Sequence, residues 1–369
     1  MSSEVPAALP ANRPVIQGFT PEQIASMSGA ELSTARKILA AVFHRGDNEL
    51  GVRVPPLARR VDVDAIAATF RVGRLSVVAK EASKVDPFVK YVLECEDGSR
   101  IETVRIPLEK PGRFSVCVSS QVGCALACAF CATGRLGLKR NLEVWEIAEQ
   151  VRVVSRELPE GGRIHGVVFQ GMGEPLANVD RVIAAIDVLR DPCGGSVHQR
   201  NITVCTAGVP RGIRRLAEAG LKVRLGLSLG TARVDARRRL MPVDKANPLS
   251  EVMDAAVEYV TKTGDAPMFA VTPLAGVNTS QEDAEALAAL LRDFRARTGI
   301  SPGLSLIPYN SIGSDPRTGE PDPFSRADDE EAERFRLSLT SIGVPVVRRY
   351  SGGGDVGAAC GQLVAKATS

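Results

Sequence analysis

Aromatic residues are scarce in this 369-residue sequence, 4% with a single tryptophan, and only three histidines occur. So thin an aromatic set argues against a base-stacking sheet platform for single-stranded RNA. An excess of one charge is missing too: 46 lysines and arginines face 43 aspartates and glutamates, a net +3, which permits an RNA partner without announcing one. No apolar run is long enough to span a bilayer. The first residues lack the basic-then-apolar pattern of a secretory signal, and Ala367-Thr368-Ser369 is no prenylation box. These absences lead to the expectation of a cytoplasmic protein that does not touch membranes. In a reducing compartment the eight cysteines are not a static disulfide framework, so clustered ones read as metal or redox chemistry.

What is present is an ordinary globular composition, 44% hydrophobic and 24% charged, in a chain long enough for one large α/β domain and a smaller appendage. Residues 1–18, rich in Pro and Ala, read as a flexible tail. Thr20 offers a helix N-cap with Pro21 at the first helical position. Apolar residues recur at helical spacing over 32–43 and again over 54–70. Alternation in 90–95 and 101–106, around the turn signal Asp97-Gly98, predicts a β-hairpin. Residues 19–110 are therefore expected to form a small N-terminal domain, helical plus β-hairpin. From 111 to 350 short β-rich runs at 114–118, 166–170, 201–205, 223–228, 267–272 and 303–308 alternate with amphipathic helices at 143–157, 179–189, 249–263 and 281–297. Six βα steps with a parallel sheet predict an α/β fold, a partial (β/α)6 barrel. Residues 351–369 contain the run Gly352-Gly353-Gly354 and are expected to be a mobile segment carrying Cys360.

Cys124, Cys128 and Cys131 place three thiols within eight residues after the first barrel strand. Structural zinc takes four protein ligands, and His44, His165 and His198 are all distant in sequence. A cluster held by three thiolates leaves one iron open to the amino and carboxylate groups of S-adenosylmethionine (SAM), whose sulfonium it can reduce to a deoxyadenosyl radical. A zinc site, or cysteines that merely fill core, are the alternatives. After the second strand comes Gly171-Met172-Gly173-Glu174-Pro175. Alone it is a turn; beside a cluster its glycines let backbone approach a ligand, and Glu174 offers an acceptor for the SAM amino group.

The sequence resembles the RlmN/Cfr family of radical SAM adenine methyltransferases. The resemblance is carried by Cys117-Val-Ser-Ser-Gln-Val-Gly-Cys124-Ala-Leu-Ala-Cys128-Ala-Phe-Cys131, by Gly171-Met-Gly-Glu-Pro175, by Leu306-Ile-Pro-Tyr-Asn310 and by Gly354-Asp355-Val-Gly-Ala-Ala-Cys360-Gly-Gln-Leu363. It runs from about Gly98 to Val364. It implies a radical SAM barrel, a 4Fe-4S cluster on Cys124, Cys128 and Cys131, and methylation of adenine at C2, or else C8, in 23S rRNA and in some members tRNA. By the same resemblance Cys360 accepts a methyl group and is the radical carrier, Glu102 is the general base, and Cys117 frees the product by attacking Cys360. Gly173, Glu174, Cys205, Ser228, Leu229, Gly230 and Asn310 would hold SAM, a flavodoxin or ferredoxin would supply electrons, and the N-terminal region would help hold RNA. A monomer is expected.

Two positions depart from the family pattern: Cys205 stands where serine is usual, and Gly230 where histidine is usual. They leave open a radical SAM enzyme with a different substrate, and a zinc-stabilised nucleic-acid-binding module is the non-catalytic alternative. The basic stretches Arg211–Arg215, Arg233–Arg239 and Arg348-Arg349 are candidate phosphate contacts, though each also fits a solvated helix face. Cys95 and Cys193 match nothing functional.

Overall fold

The computed structural model describes residues 13–315 and 318–364. Three helices, α1 (Pro21–Ser28), α2 (Leu32–Ala40) and α3 (Arg60–Thr69), lead into antiparallel strands β1 (Ser76–Ala82), β2 (Val89–Glu94) and β3 (Arg100–Pro107). Next come β4 (Arg113–Val118), β5 (Gln121–Cys124), α4 (Ala132–Leu136), β6 (Gly137–Asn141), α5 (Val144–Arg156), β7 (Arg163–Phe169), α6 (Val179–Arg190), β8 (Ile202–Thr206), α7 (Pro210–Glu218) and β9 (Arg224–Ser228). The chain continues through α8 (Val234–Leu240), α9 (Leu249–Thr263), β10 (Met268–Val271), α10 (Gln281–Thr298), β11 (Gly303–Leu306), α11 (Asp329–Ser341) and β12 (Val346–Arg348).

Among the described residues, ten strands join in one open sheet ordered β1-β2-β3-β4-β7-β8-β9-β10-β11-β12. From β4 to β12 every pairing is parallel, because each crossover carries a helix that shields the outer face. The sheet does not close, as the partial barrel requires. The six expected strands are present, and β12 adds a parallel edge beyond them. Its three residues are half-buried or exposed, so no apolar run marks it.

The N-terminal expectations change in two respects. Thr20 caps α1 through a reciprocal box with Gln23, and Pro21 opens the helix, as read from the sequence. The first twelve residues of the expected tail lie outside the described part, but its end is packed: Ile16 and Gln17 are fully buried, and Gln17 donates to Gly73 carbonyl and to Glu149. The expected hairpin is a three-strand meander that pairs onto β4, so it extends the barrel sheet rather than standing apart.

Strand alternation turns one set of side chains into the concave side of the sheet. Ser115 and Cys117 on β4, Thr203 and Cys205 on β8, Arg224 and Ser228 on β9, and Met268 and Ala270 on β10 all line the space inside the barrel. Helix α9 matches its expected span and buries Val252, Ala255, Ala256 and Tyr259 against the outer face.

Candidate functional site

The cysteine loop lies between β5 and α4, and β5 pairs with β6 in a small hairpin that brackets it. Gly123 makes that hairpin possible: its φ is +77°, and a Cβ there would stand 1.9 Å from the Gly137 carbonyl oxygen. Gly134 is equally constrained, because a Cβ would press on Cys128 backbone at 3.0 Å. The loop is tied down by Ala129 N–H to Leu240 carbonyl (2.9 Å) and Ala132 N–H to Gly361 carbonyl (2.7 Å).

Cys124, Cys128 and Cys131 all line one cavity at the C-terminal end of the barrel strands, together with Gly173, Glu174, Cys205, Ser228, Gly230 and Cys360. Among the described residues no three such side chains crowd together as single-ion ligands. Three thiols lining one cavity are the soft donor set that an iron–sulfur cluster takes. Burial pushes the Cys124 thiol up to about 12 and raises those of Cys128 and Cys131, while the amides of Gly134 and Thr133 work against the rise at Cys131. A metal must therefore displace these protons on binding.

Glu174 is buried and accepts N–H bonds from Leu176 (3.0 Å) and Ala207 (2.9 Å). Burial raises its pKa, and those amides favour the carboxylate. Its own N–H donates to Gln121 at 2.8 Å, and Gly173 at φ +100° leaves no room for a Cβ beside that glutamine. The turn is thus a rigid cradle on the cavity wall. Not every expected SAM contact reaches the cavity. Leu229 is fully buried, and its N–H donates to Ala270. Asn310 donates to Pro308 carbonyl and Ser351 hydroxyl beside the C-terminal segment, and Tyr309 takes the lining position instead.

The basic stretches are mostly engaged. Arg214 pairs with Glu258, Arg215 with Asp180, Arg233 with Glu282 and Asp283, and Arg348 with Asp329. Arg237 is fully buried; it pairs with Asp244 and donates to the carbonyls of Leu229 and Ala207. Far from being a phosphate contact, it braces two walls of the thiol-lined cavity, and only tertiary contacts reveal this.

The expected mobile C-terminal segment is docked as far as Val364; residues 365–369 lie outside the described part. Asp86 accepts from Gly353 N–H and Tyr350 hydroxyl, both 2.8 Å, and Asp355 accepts from Lys84 N–H. Thr133 hydroxyl donates to Leu363 carbonyl at 2.6 Å. Buried Ala359 and Leu363 flank Cys360, which remains open to the cavities on either side.

A second cavity of about 450 Å³ fills the barrel toward the N-terminal ends of its strands, a size suited to a small ligand. Cys360, Cys205, Gln170 and Ile307 line both cavities, so Cys360 stands in their common wall. Cys117 lines the second one, and burial raises its thiol, as do the neighbouring charges of Cys360 and Cys205. Cys205 donates to Gln170 at 3.7 Å. Glu102 does not line either cavity: fully buried, it meets Lys90 at 3.5 Å and accepts Val364 N–H at 2.9 Å. Alternation along β3 by itself would fit a solvated position for this carboxylate; the C-terminal segment covers it.

Residues 118–291 match the model of the radical SAM superfamily. The chain is 55% identical, over 93% of its length and 90% of the relative, to a probable RNA methyltransferase of Sorangium cellulosum. It is 36% identical, over 95% of its length and 91% of the relative, to a probable dual-specificity RNA methyltransferase RlmN of Symbiobacterium thermophilum. A crystal structure of a radical SAM methyltransferase from Sphaerobacter thermophilus superposes with a TM-score of 0.84 at 33% identity, covering 96% of this chain and 100% of that one.

Proposed function

Because the chain belongs to the RlmN/Cfr family of radical SAM RNA methyltransferases, we propose that it methylates adenine at C2, rather than C8, in 23S rRNA and tRNA. One observation carries the reading: Cys360 stands between a cavity lined by three thiols and a second cavity large enough for a nucleoside. Adenine C2 is an electron-poor carbon and offers no nucleophile for polar methyl transfer, which calls for a radical, and the relay on Cys360 sulfur implied by the family resemblance would carry the methyl carbon across that wall.

Cys124, Cys128 and Cys131 would hold the 4Fe-4S cluster, and Glu174, Gly173, Ser228 and Gly230 the SAM beside it. When bound, this pair supplies a methyl group and a hydrogen-abstracting radical. Cys360 Sγ carries the methyl carbon and directs it toward the base in the second cavity. Glu102 takes the ring proton, which requires the segment ending at Val364 to lift from it. The one electron left unpaired by radical addition returns to the electron carrier; Cys117 then attacks Cys360 Sγ and gives up its proton, the sulfur–carbon bond breaks with its electron pair on carbon, that carbon takes a proton to become the methyl group, and the new disulfide awaits two electrons and two protons. A flavodoxin or ferredoxin supplies the electrons for the radical step, the protein acts as a cytoplasmic monomer, and the N-terminal region steadies the RNA.

The test is anaerobic incubation of reconstituted protein with SAM, a reductant and unmodified 23S rRNA fragments or tRNA, followed by nucleoside mass spectrometry. 2-Methyladenosine is expected. Its absence from both RNAs, with SAM cleavage intact, rejects the reading.

A further inference from the structure

The N-terminal mouth of the barrel is cationic in a way that the parallel sheet does not explain. Strands β4, β7 and β9 each begin with arginine, Arg113, Arg163 and Arg224; Arg349 lies past the C-terminal end of β12, and its guanidinium reaches back to Met268 at the start of β10. Arg113 and Arg163 are register partners in adjacent strands, an arrangement of like charges that costs stability in the absence of an anion. Among the described residues none of these four arginines pairs with a carboxylate: Arg349 donates to Ser305 and Met268, and no ion pair involves the others.

The same end of the barrel opens into the second cavity. Arg224, Arg349 and His165 line it, and no aspartate or glutamate among the described residues does. Burial, and then the positive charges of Arg113, Arg163, Arg224 and Lys110, hold His165 below its ordinary range. Phe88 and Tyr350 also line the cavity, their rings 6.2 Å apart edge to face, with Tyr350 74% exposed. At the inner end stand Cys117 and Cys360. A cation rim, aromatic surface and a pocket leading to the reactive thiols are what a polyanion with an everted base needs.

We propose that Arg113, Arg163, Arg224 and Arg349 form a phosphate-binding rim, and that RNA enters the barrel from the end opposite the cysteine triad, with one nucleoside in the second cavity. This deepens the RNA reading above and rests on it. The arrangement separates the two reactants: SAM reaches Cys360 from the C-terminal end of the strands and the base from the N-terminal end.

The experiment measures binding of the reconstituted holoenzyme to unmodified tRNA across a salt series. Arg224→Ala, Arg349→Ala and the double variant Arg113→Ala/Arg163→Ala are compared with Arg292→Ala, an exposed arginine on α10 that removes the same charge elsewhere. Each rim arginine removed should weaken binding roughly tenfold and lower the salt slope by about 0.7, and the lysine variants should keep most of the slope. Cluster absorbance and melting temperature verify that each variant is folded. Rim variants that lose no more affinity or slope than Arg292→Ala overturn the proposal, as does a mouth that instead binds only the acidic electron donor. If rim variants lose RNA affinity but no methyladenosine forms on any RNA, the methylation reading fails and the rim stands; methyladenosine with unchanged slopes rejects the rim alone.

Discussion

Val364 N–H donates to the buried carboxylate of Glu102 at 2.9 Å, joining the C-terminal segment to β3. Glu102 therefore has a docking role that is separable from proton transfer. Glu102→Gln keeps an acceptor for Val364 and should leave the segment protected from hydrogen exchange while methylation is lost. Glu102→Ala removes the acceptor and one partner of buried Lys90, which retains Glu81 at 3.2 Å; a cost of about 3 kcal/mol and faster exchange over 352–364 are expected. Full activity of Glu102→Gln would remove Glu102 from the chemistry.

The three thiols of the second cavity should separate by role. Cys360→Ala should abolish methylation while SAM cleavage persists, and Cys117→Ser should accumulate a covalent protein–RNA adduct visible on denaturing gels. Cys205→Ser can still donate to Gln170 and should methylate at a rate within about threefold of the parent. A Cys360→Ala protein that still makes methyladenosine would dismiss the thiol relay.

Gly230 marks a physical incompatibility with the histidine usual in the family. Its φ is +67°, and a Cβ there would meet Met241 Sδ at 2.5 Å. Gly230→His alone should lower stability by about 1–3 kcal/mol from left-handed backbone cost and overpacking, with SAM affinity falling as Met241 is pushed aside. Adding Met241→Ala should recover part of the loss in a thermal melt. Equal melting temperatures for parent and Gly230→His would show that the contact is not limiting.

Buried thiols outside the triad predict an alkaline limit. Burial pushes Cys95 up to about 12 and raises Cys117 as well. Since their folded-state values lie above the unfolded value near 8.5, stability is full below that pH and declines above it, as unfolded chains release protons that folded ones keep. Each thiol removes up to about 1.4 kcal/mol per pH unit in that window. Urea midpoints should fall between pH 8.5 and pH 10.5, and Cys95→Ala should flatten the fall; a slope unchanged by that variant would contradict the assignment.

Much of the barrel was legible because its signals are local. The period of two in 201–205 and the helical spacing in 249–263 specify β8 and α9 within a residue or so. The short edge strand β12 escaped notice because its residues bury little. The docking of the C-terminal segment is not legible in its glycines: glycine enrichment reports conformational freedom in an isolated chain, whereas Gly352 sits where a Cβ would strike Phe88 at 2.4 Å. Here the glycines serve close docking. Likewise the run Arg233–Arg239 looked like a charged surface, and Arg237 instead lies at 0% exposure.

The sequence alone determined the thiol triad and the glycine-glutamate turn, because the residues that act together are neighbours along the chain and short-range geometry brings them to one strand end. Tertiary structure decided the rest of the site. Cys360 reaches the wall between two cavities, Val364 covers Glu102, and the arginines that open β4, β7 and β9 come to one end of the barrel only once parallel pairing has aligned those strands. Contacts of that kind depend on sheet order and register, and a linear pattern of residues carries neither.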